Sequence, residues 1–196
     1  MVIRQITAFL DRCLQLLMKR ITFGIDSPKD LLVKLKFDAA RFESEIKPYD
    51  VFNFFITASV LYEWITKHYL DSEFVTNLAT AVKNNKGLEI PSIASSWIAD
   101  TKCIPNDAQD YRLDIVNILN ACWYTANASK HYHWYKSNPV KSVEEEPQIN
   151  DFYQYFFTSV EPSLYLEINE QYYNLSQIKG IAIQFYSGLI EHLDNE

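Results

Sequence analysis

Lys130-His-Tyr-His-Trp-Tyr-Lys136 sets two imidazoles and two ammonium groups among three aromatic rings. An imidazole titrates near neutral pH and can move a proton, and a neighbouring ammonium can stabilise an anion. Asn127 lies one helical turn before His131. On residue type, His131 is a candidate general acid/base, with Asn127 and Lys130 as candidates to position a phosphate. Tyr132, His133 and Trp134 are candidate contact residues, because rings interleaved with cations suit stacking on unpaired bases.

Other readings of the same residues stay open. Asn, Lys and His at a helix C-terminus can bond the last carbonyls and suit the dipole. Tyr132 and Trp134 could simply cover the end of a bundle. Metal chemistry is not signalled. His131 and His133 are two apart and share a face only in an extended chain, His68 and His192 fall on other helices, and no HExxH occurs. The templates GxxxxGK[ST], GxGxxG and GxSxG are also missing, and four glycines leave little for a phosphate-cradling loop. No metal and no cofactor is expected.

These residues end a long helix that begins near Asn106 or Asp107. At roughly 100° per residue its side chains separate into two stripes. Ile115, Ile118, Leu119, Cys122, Ala126 and Ser129 form an apolar stripe. Leu113, Asn117, Asn120, Tyr124, Asn127 and His131 form the opposite one. The second stripe is built of neutral amides rather than Lys and Glu. Asn117, Asn120 and Tyr124 therefore join the candidate contact residues, the alternative being buried amides that tie helices together.

The elements that must position this helix follow from spacing. Residues 3–20 read as an amphipathic helix. Ser27-Pro28 starts a second, with Leu31, Leu32, Leu35, Ala39, Phe42 and Ile46 inward and Asp38 among the charges largely off that face. A third, over about 49–70, is apolar on most sides and belongs in the middle of a bundle. A fourth covers 71–85 and is stopped by Asn84-Asn-Lys-Gly87, and a turn or more of helix surrounds 93–98. Lys141–Glu146, between Pro139 and Pro147, reads as an exposed loop. Residues 151–157 are strand-prone. Leu164–Ile168, a polar turn at Asn169–Gln171 and Tyr172–Asn174 read as a hairpin. Ser176 can cap a last helix. The expected fold is mainly α: an antiparallel helical bundle of about five or six helices with a small C-terminal antiparallel β hairpin or sheet. It forms a single domain over 1–196, with the bundle over 1–135 and the β element and terminal helix over 148–194.

Composition narrows the partners. Hydrophobic residues make up 48% and charged residues 22%, which excludes a wholly disordered chain. The net charge of −7 disfavours long-range attraction to polyanions, so RNA contact would need a local basic patch. Three widely spaced cysteines without a CxxC pair suit a reducing compartment. Charges interrupt the first apolar stretch, and no apolar run reaches membrane-spanning length. A cytoplasmic protein without membrane contact is expected.

Two motifs carry a resemblance. Asn53-Phe-Phe-Ile-Thr57-Ala58 followed by Leu61-Tyr-Glu-Trp64, and later Asn127-Ala-Ser-Lys-His131, resemble a family of uncharacterised bacterial proteins that pair an FFxTA helix with an NxSKH motif. The resemblance covers roughly residues 28–190. A histidine ending a long bundle helix, preceded by a polar residue, also resembles HEPN-type domains. Those are helical bundles, often dimeric, and many are metal-independent ribonucleases of toxin–antitoxin or phage-defence systems. Asn127 and His131 match their polar residue and histidine, but Ala126 stands where that motif has Arg. The resemblance thus implies a HEPN-like bundle more than it implies nuclease activity. The expectation is a binding or interaction protein that contacts a partner protein or RNA, with a homodimer left open. The alternative is a ribonuclease using His131.

Overall fold

The computed structural model describes residues 24–41, 47–99, 110–131, 140–146 and 163–196, with the backbone alone at 129–131, 140–146 and 163–165. The expected N-terminal helix over 3–20, the strand-prone 151–157 and the residues Tyr132, His133 and Trp134 lie outside them.

Helix α1, Pro28–Ala40, starts on a capping box. The Ser27 hydroxyl accepts from the Asp30 amide at 3.2 Å, and the Asp30 carboxylate accepts from the Ser27 amide at 3.0 Å. Its apolar face, Leu31, Leu32, Leu35 and Ala39, is buried as the spacing predicts. Asp38 is not the solvated charge expected; it is buried, because α2 supplies a partner for it. The Thr57 hydroxyl donates to Asp38 Oδ2 at 2.6 Å, and the Lys34 ammonium donates to Thr57 Oγ1 at 2.7 Å. The threonine of the FFxTA segment thus fastens α2 to α1.

Helix α2, Pro48–His68, buries Phe54, Phe55, Ala58, Leu61 and Ile65 and half-buries Val60, Tyr62 and Trp64, which makes it a central helix. Helix α3, Glu73–Asn84, ends on Asn85 in the left-handed region, φ 56°. Within the expected stop Asn84-Asn-Lys-Gly87, Asn85 is thus the residue that reverses the chain. Gly87 instead opens a 3₁₀ turn, Gly87–Glu89, against the start of α5. A Cβ there would lie 2.3 Å from the Leu113 backbone nitrogen. Helix α4 is Ile93–Ile98.

Helix α5, Arg112–His131, begins later than expected. Asp110 accepts from the Arg112 backbone amide at 3.2 Å and pairs with its guanidinium, which also donates to the Ile90 carbonyl at 3.3 Å. Ile115, Ile118, Leu119, Cys122 and Ala126 are buried, and so are Val116, Ala121, Asn117 and Asn120. Asn117 and Asn120 of the amide stripe therefore face protein, not water, whereas Leu113 is exposed and Tyr124 and Asn127 are half-buried. Cys122 packs as a small apolar group, with burial pushing its thiol well above the ordinary range.

Strand β1, Val140–Glu146, pairs antiparallel with β2, Ser163–Ile168, which pairs antiparallel with β3, Gln171–Asn174. The expected loop over 141–146 is thus a strand. It satisfies the outer edge of β2, and its run of three glutamates is the charged composition that keeps an edge strand from pairing further. Leu166, Ile168 and Tyr173 face the core. The hairpin turn is tighter than expected. Asn169 and Glu170 alone form it, with φ 50° and 65°, and Gln171 already pairs with Ile168. Helix α6, Leu175–Leu193, is capped by Asn174 and Gln177 in a reciprocal box, not by Ser176.

One contiguous cluster of buried residues runs from Leu31 to Leu193. α1 packs on α2, α2 on α5, and α1, α4 and α5 on α6. The Tyr186 hydroxyl donates to the Ala58 carbonyl at 2.8 Å and ties α6 to α2 inside the core. Among the described residues no helix is long and apolar enough to cross a membrane.

Candidate functional site

The amides of α5 meet two left-handed turns. Asn85 ends α3 and Asn169 opens the β2–β3 turn, and asparagine tolerates that backbone better than most residues. Both turn side chains point to α5. Asn169 Nδ2 donates to Asn117 Oδ1 at 2.7 Å and to Asn85 Oδ1 at 3.0 Å. Asn120 Nδ2 donates to the same Asn85 oxygen at 3.2 Å and to the Val82 carbonyl at 3.4 Å. Asn117 Nδ2 donates to Gln171 Oε1 at 3.2 Å and to the Tyr173 hydroxyl oxygen at 3.0 Å. Tyr173 Oη lies 2.5 Å from both Asp114 Oδ1 and Gln171 Oε1.

The chain of contacts runs from Asp114 through Tyr173, Gln171, Asn117, Asn169, Asn85 and Asn120 to the Val82 carbonyl. An amide nitrogen has two hydrogens. Both are committed on Asn117, on Asn169 and on Asn120, so none of the three retains a hydrogen for a ligand. Asn117 is fully buried, which is possible only because its polar atoms are matched in this way. Burial pushes the Asp114 carboxyl above its ordinary range, opposed by the Tyr173 hydrogen bond. Burial also pushes the Tyr173 hydroxyl up. Sequence reasoning missed Asn85, Asp114, Asn169, Gln171 and Tyr173. Their one local signal was asparagine at two chain reversals.

The remaining candidates fall further along α5. Tyr124 is half-buried and packs on the core, with the Trp123 ring edge-on at 4.8 Å. Trp123 is 40% exposed, between buried Cys122 and half-buried Tyr124. Asn127 is half-buried, and the α5 backbone places it one turn before His131, with Lys130 in the same last turn. The structure thus brings Asn117 and Asn120 together in one network and leaves Tyr124 and Asn127 outside it.

Among the described residues, no three His, Cys, Asp or Glu side chains gather as metal ligands. A shallow groove of about 310 Å³ lies between the end of α2 and α3, lined by Thr66, Leu70, Val75, Ala79, Thr80 and Lys83. It contains no member of the network. Compared with protein-family models, with curated proteins and with solved structures, the chain matches none.

Proposed function

We propose that the chain is a non-catalytic, HEPN-like interaction module that engages a partner protein through the second half of α5 and the residues after it. The observation that carries this reading is the exposure of Trp123 on a helix whose Asn117 and Asn120 amides are already spent internally. A large rigid ring held at a surface by a buried helix is the kind of anchor that dominates protein interfaces. Tyr124, Asn127, Lys130, His131, Tyr132, His133 and Trp134 would extend that surface. The net charge of −7 favours a protein over RNA as the partner. The HEPN-type resemblance suggests a bacterial defence or toxin–antitoxin setting.

A photo-crosslinking amino acid placed at Trp123, with Gln184 on exposed α6 surface as control, tests this in cells. A discrete protein adduct from position 123 and none from 184 is the expected result. An RNA adduct would favour the nucleic-acid reading. Metal-independent RNA cleavage that disappears in His131→Ala would replace the proposal with a ribonuclease using His131, Asn127 and Lys130. Equal crosslinking from both positions would remove its basis.

A further inference from the structure

The Tyr173 hydroxyl has one hydrogen, yet two acceptor oxygens lie 2.5 Å from it, Asp114 Oδ1 and Gln171 Oε1. The third neighbour, Asn117 Nδ2, approaches as a donor and also donates to Gln171 Oε1. Turning the Gln171 amide over would set its NH₂ against that of Asn117, two donors facing each other, so its oxygen must stay inward. One of the two 2.5 Å contacts therefore needs a second hydrogen. A carboxylate has none to give, whereas a carboxylic acid has one. A single assignment gives every contact its hydrogen: Asp114 O–H donates to Tyr173 Oη, and Tyr173 donates to Gln171 Oε1.

We infer that Asp114 is a proton-dependent latch: in its neutral form it holds the β2–β3 hairpin on α5, and its ionisation releases the Gln171 end of β3. When the proton leaves to solvent, the Tyr173 hydrogen turns to the carboxylate. Tyr173 Oη and Gln171 Oε1 are then left lone pair against lone pair. Gln171 is exposed, so its side chain can swing out at small cost, and Asn117 loses an acceptor.

The surroundings favour the neutral form. Burial is the larger influence on the Asp114 carboxyl and raises it; the Tyr173 hydrogen bond is the smaller and lowers it. From the sheet, Tyr173 is the titratable group that faces it among the described residues. On its own helix, Arg112 is paired with Asp110. At the 3₁₀ turn, Glu89 is paired with Lys86. From α3 and α6, no described charge shifts it.

Amide hydrogen exchange on the full chain from pH 4 to 8, corrected for the intrinsic pH dependence, tests the latch. Protection of the Gln171 amide should fall as the carboxyl ionises, by about tenfold for each pKa unit of upward shift. Asp114→Asn keeps a permanent donor to Tyr173 and should hold protection flat. Wild-type protection that ignores pH, or an equal fall in Asp114→Asn, overturns the inference. Should that variant not fold, a ¹³C titration of the wild-type Asp114 carboxyl decides. A midpoint above the ordinary 3.8 supports the latch, and one at or below it overturns it.

Discussion

The Tyr173 hydroxyl on β3 and the Asp114 carboxyl on α5 lie 2.5 Å apart, 59 residues apart in sequence. Because burial raises the carboxyl above 3.8, the folded chain holds this proton more tightly than the unfolded chain. Stability from this group is fully present below pH 3.8 and is lost as pH rises through the folded value. Asp114→Asn should remove that part of the slope and match or exceed wild type at pH 7. The gain should be below about 1 kcal/mol, since the group is only partly buried and solvent screens it. Urea denaturation of both proteins between pH 4 and 7 measures it; a slope unchanged by the substitution refutes the sign.

Asn117→Ala should be much costlier. The side chain accepts from Asn169 and donates to Gln171 and Tyr173, all from elements more than 50 residues away in sequence. Truncation strands the Asn169 donor beside a new cavity, at a cost of about 2–3 kcal/mol. Asn127→Ala, outside the network, should cost less than about 1 kcal/mol. Equal urea midpoints for the two variants would show that the network contributes nothing.

Most helices were legible because each obeys a local rule. Ser27-Pro28 starts α1, the apolar spacing of 31–39 places its inner face, and apolar residues on most sides place α2 in the middle of the bundle. What was not legible depends on partners distant in sequence. A stripe of neutral amides suits a wet surface or a dry interface equally well. Only Asn85 and Asn169, 35 and 52 residues from the amides they meet, settle which it is. Asp38 looked solvated because its partner Thr57 lies on the next helix. Lys141–Glu146 looked like a loop because Pro139 and Pro147 bracket it, yet β2 needed a pairing edge.

Gly188 makes room for an indole. A Cβ there would meet Trp97 Cγ at 2.4 Å and its Cβ at 2.9 Å. Those atoms lie near the backbone, and the ring is held by Phe74, Phe185 and His192. Gly188→Ala gains about 1 kcal/mol in helix propensity. Overpacking costs about 1–3 kcal/mol, and with so little freedom at Trp97 the upper part of that range applies. A net loss of about 1–2 kcal/mol is expected, with a red shift of tryptophan emission as the indole is displaced. A rise in thermal midpoint would mean that the ring moves aside freely.

The turn at Asn169–Glu170 offers the opposite sign. Glu170 is exposed and sits at φ 65°, where an L side chain is strained by about 1–2 kcal/mol. Asn at the first left-handed position is well suited, and glycine at the second would complete the Asn-Gly pair that two-residue hairpins favour. Glycine also widens the unfolded ensemble, which cancels about 0.5–1 kcal/mol of the relief. Glu170→Gly should therefore stabilise the chain by about 0.5–1 kcal/mol, a rise of about 1–4 °C in thermal midpoint for a chain of this size. Asn169→Gly relieves less strain and removes the donor to Asn117 and Asn85, so it should destabilise. Opposite shifts from two neighbouring glycines would separate the backbone of the turn from the hydrogen bonds it carries. Shifts of the same sign would show that Asn169 contributes only through its backbone.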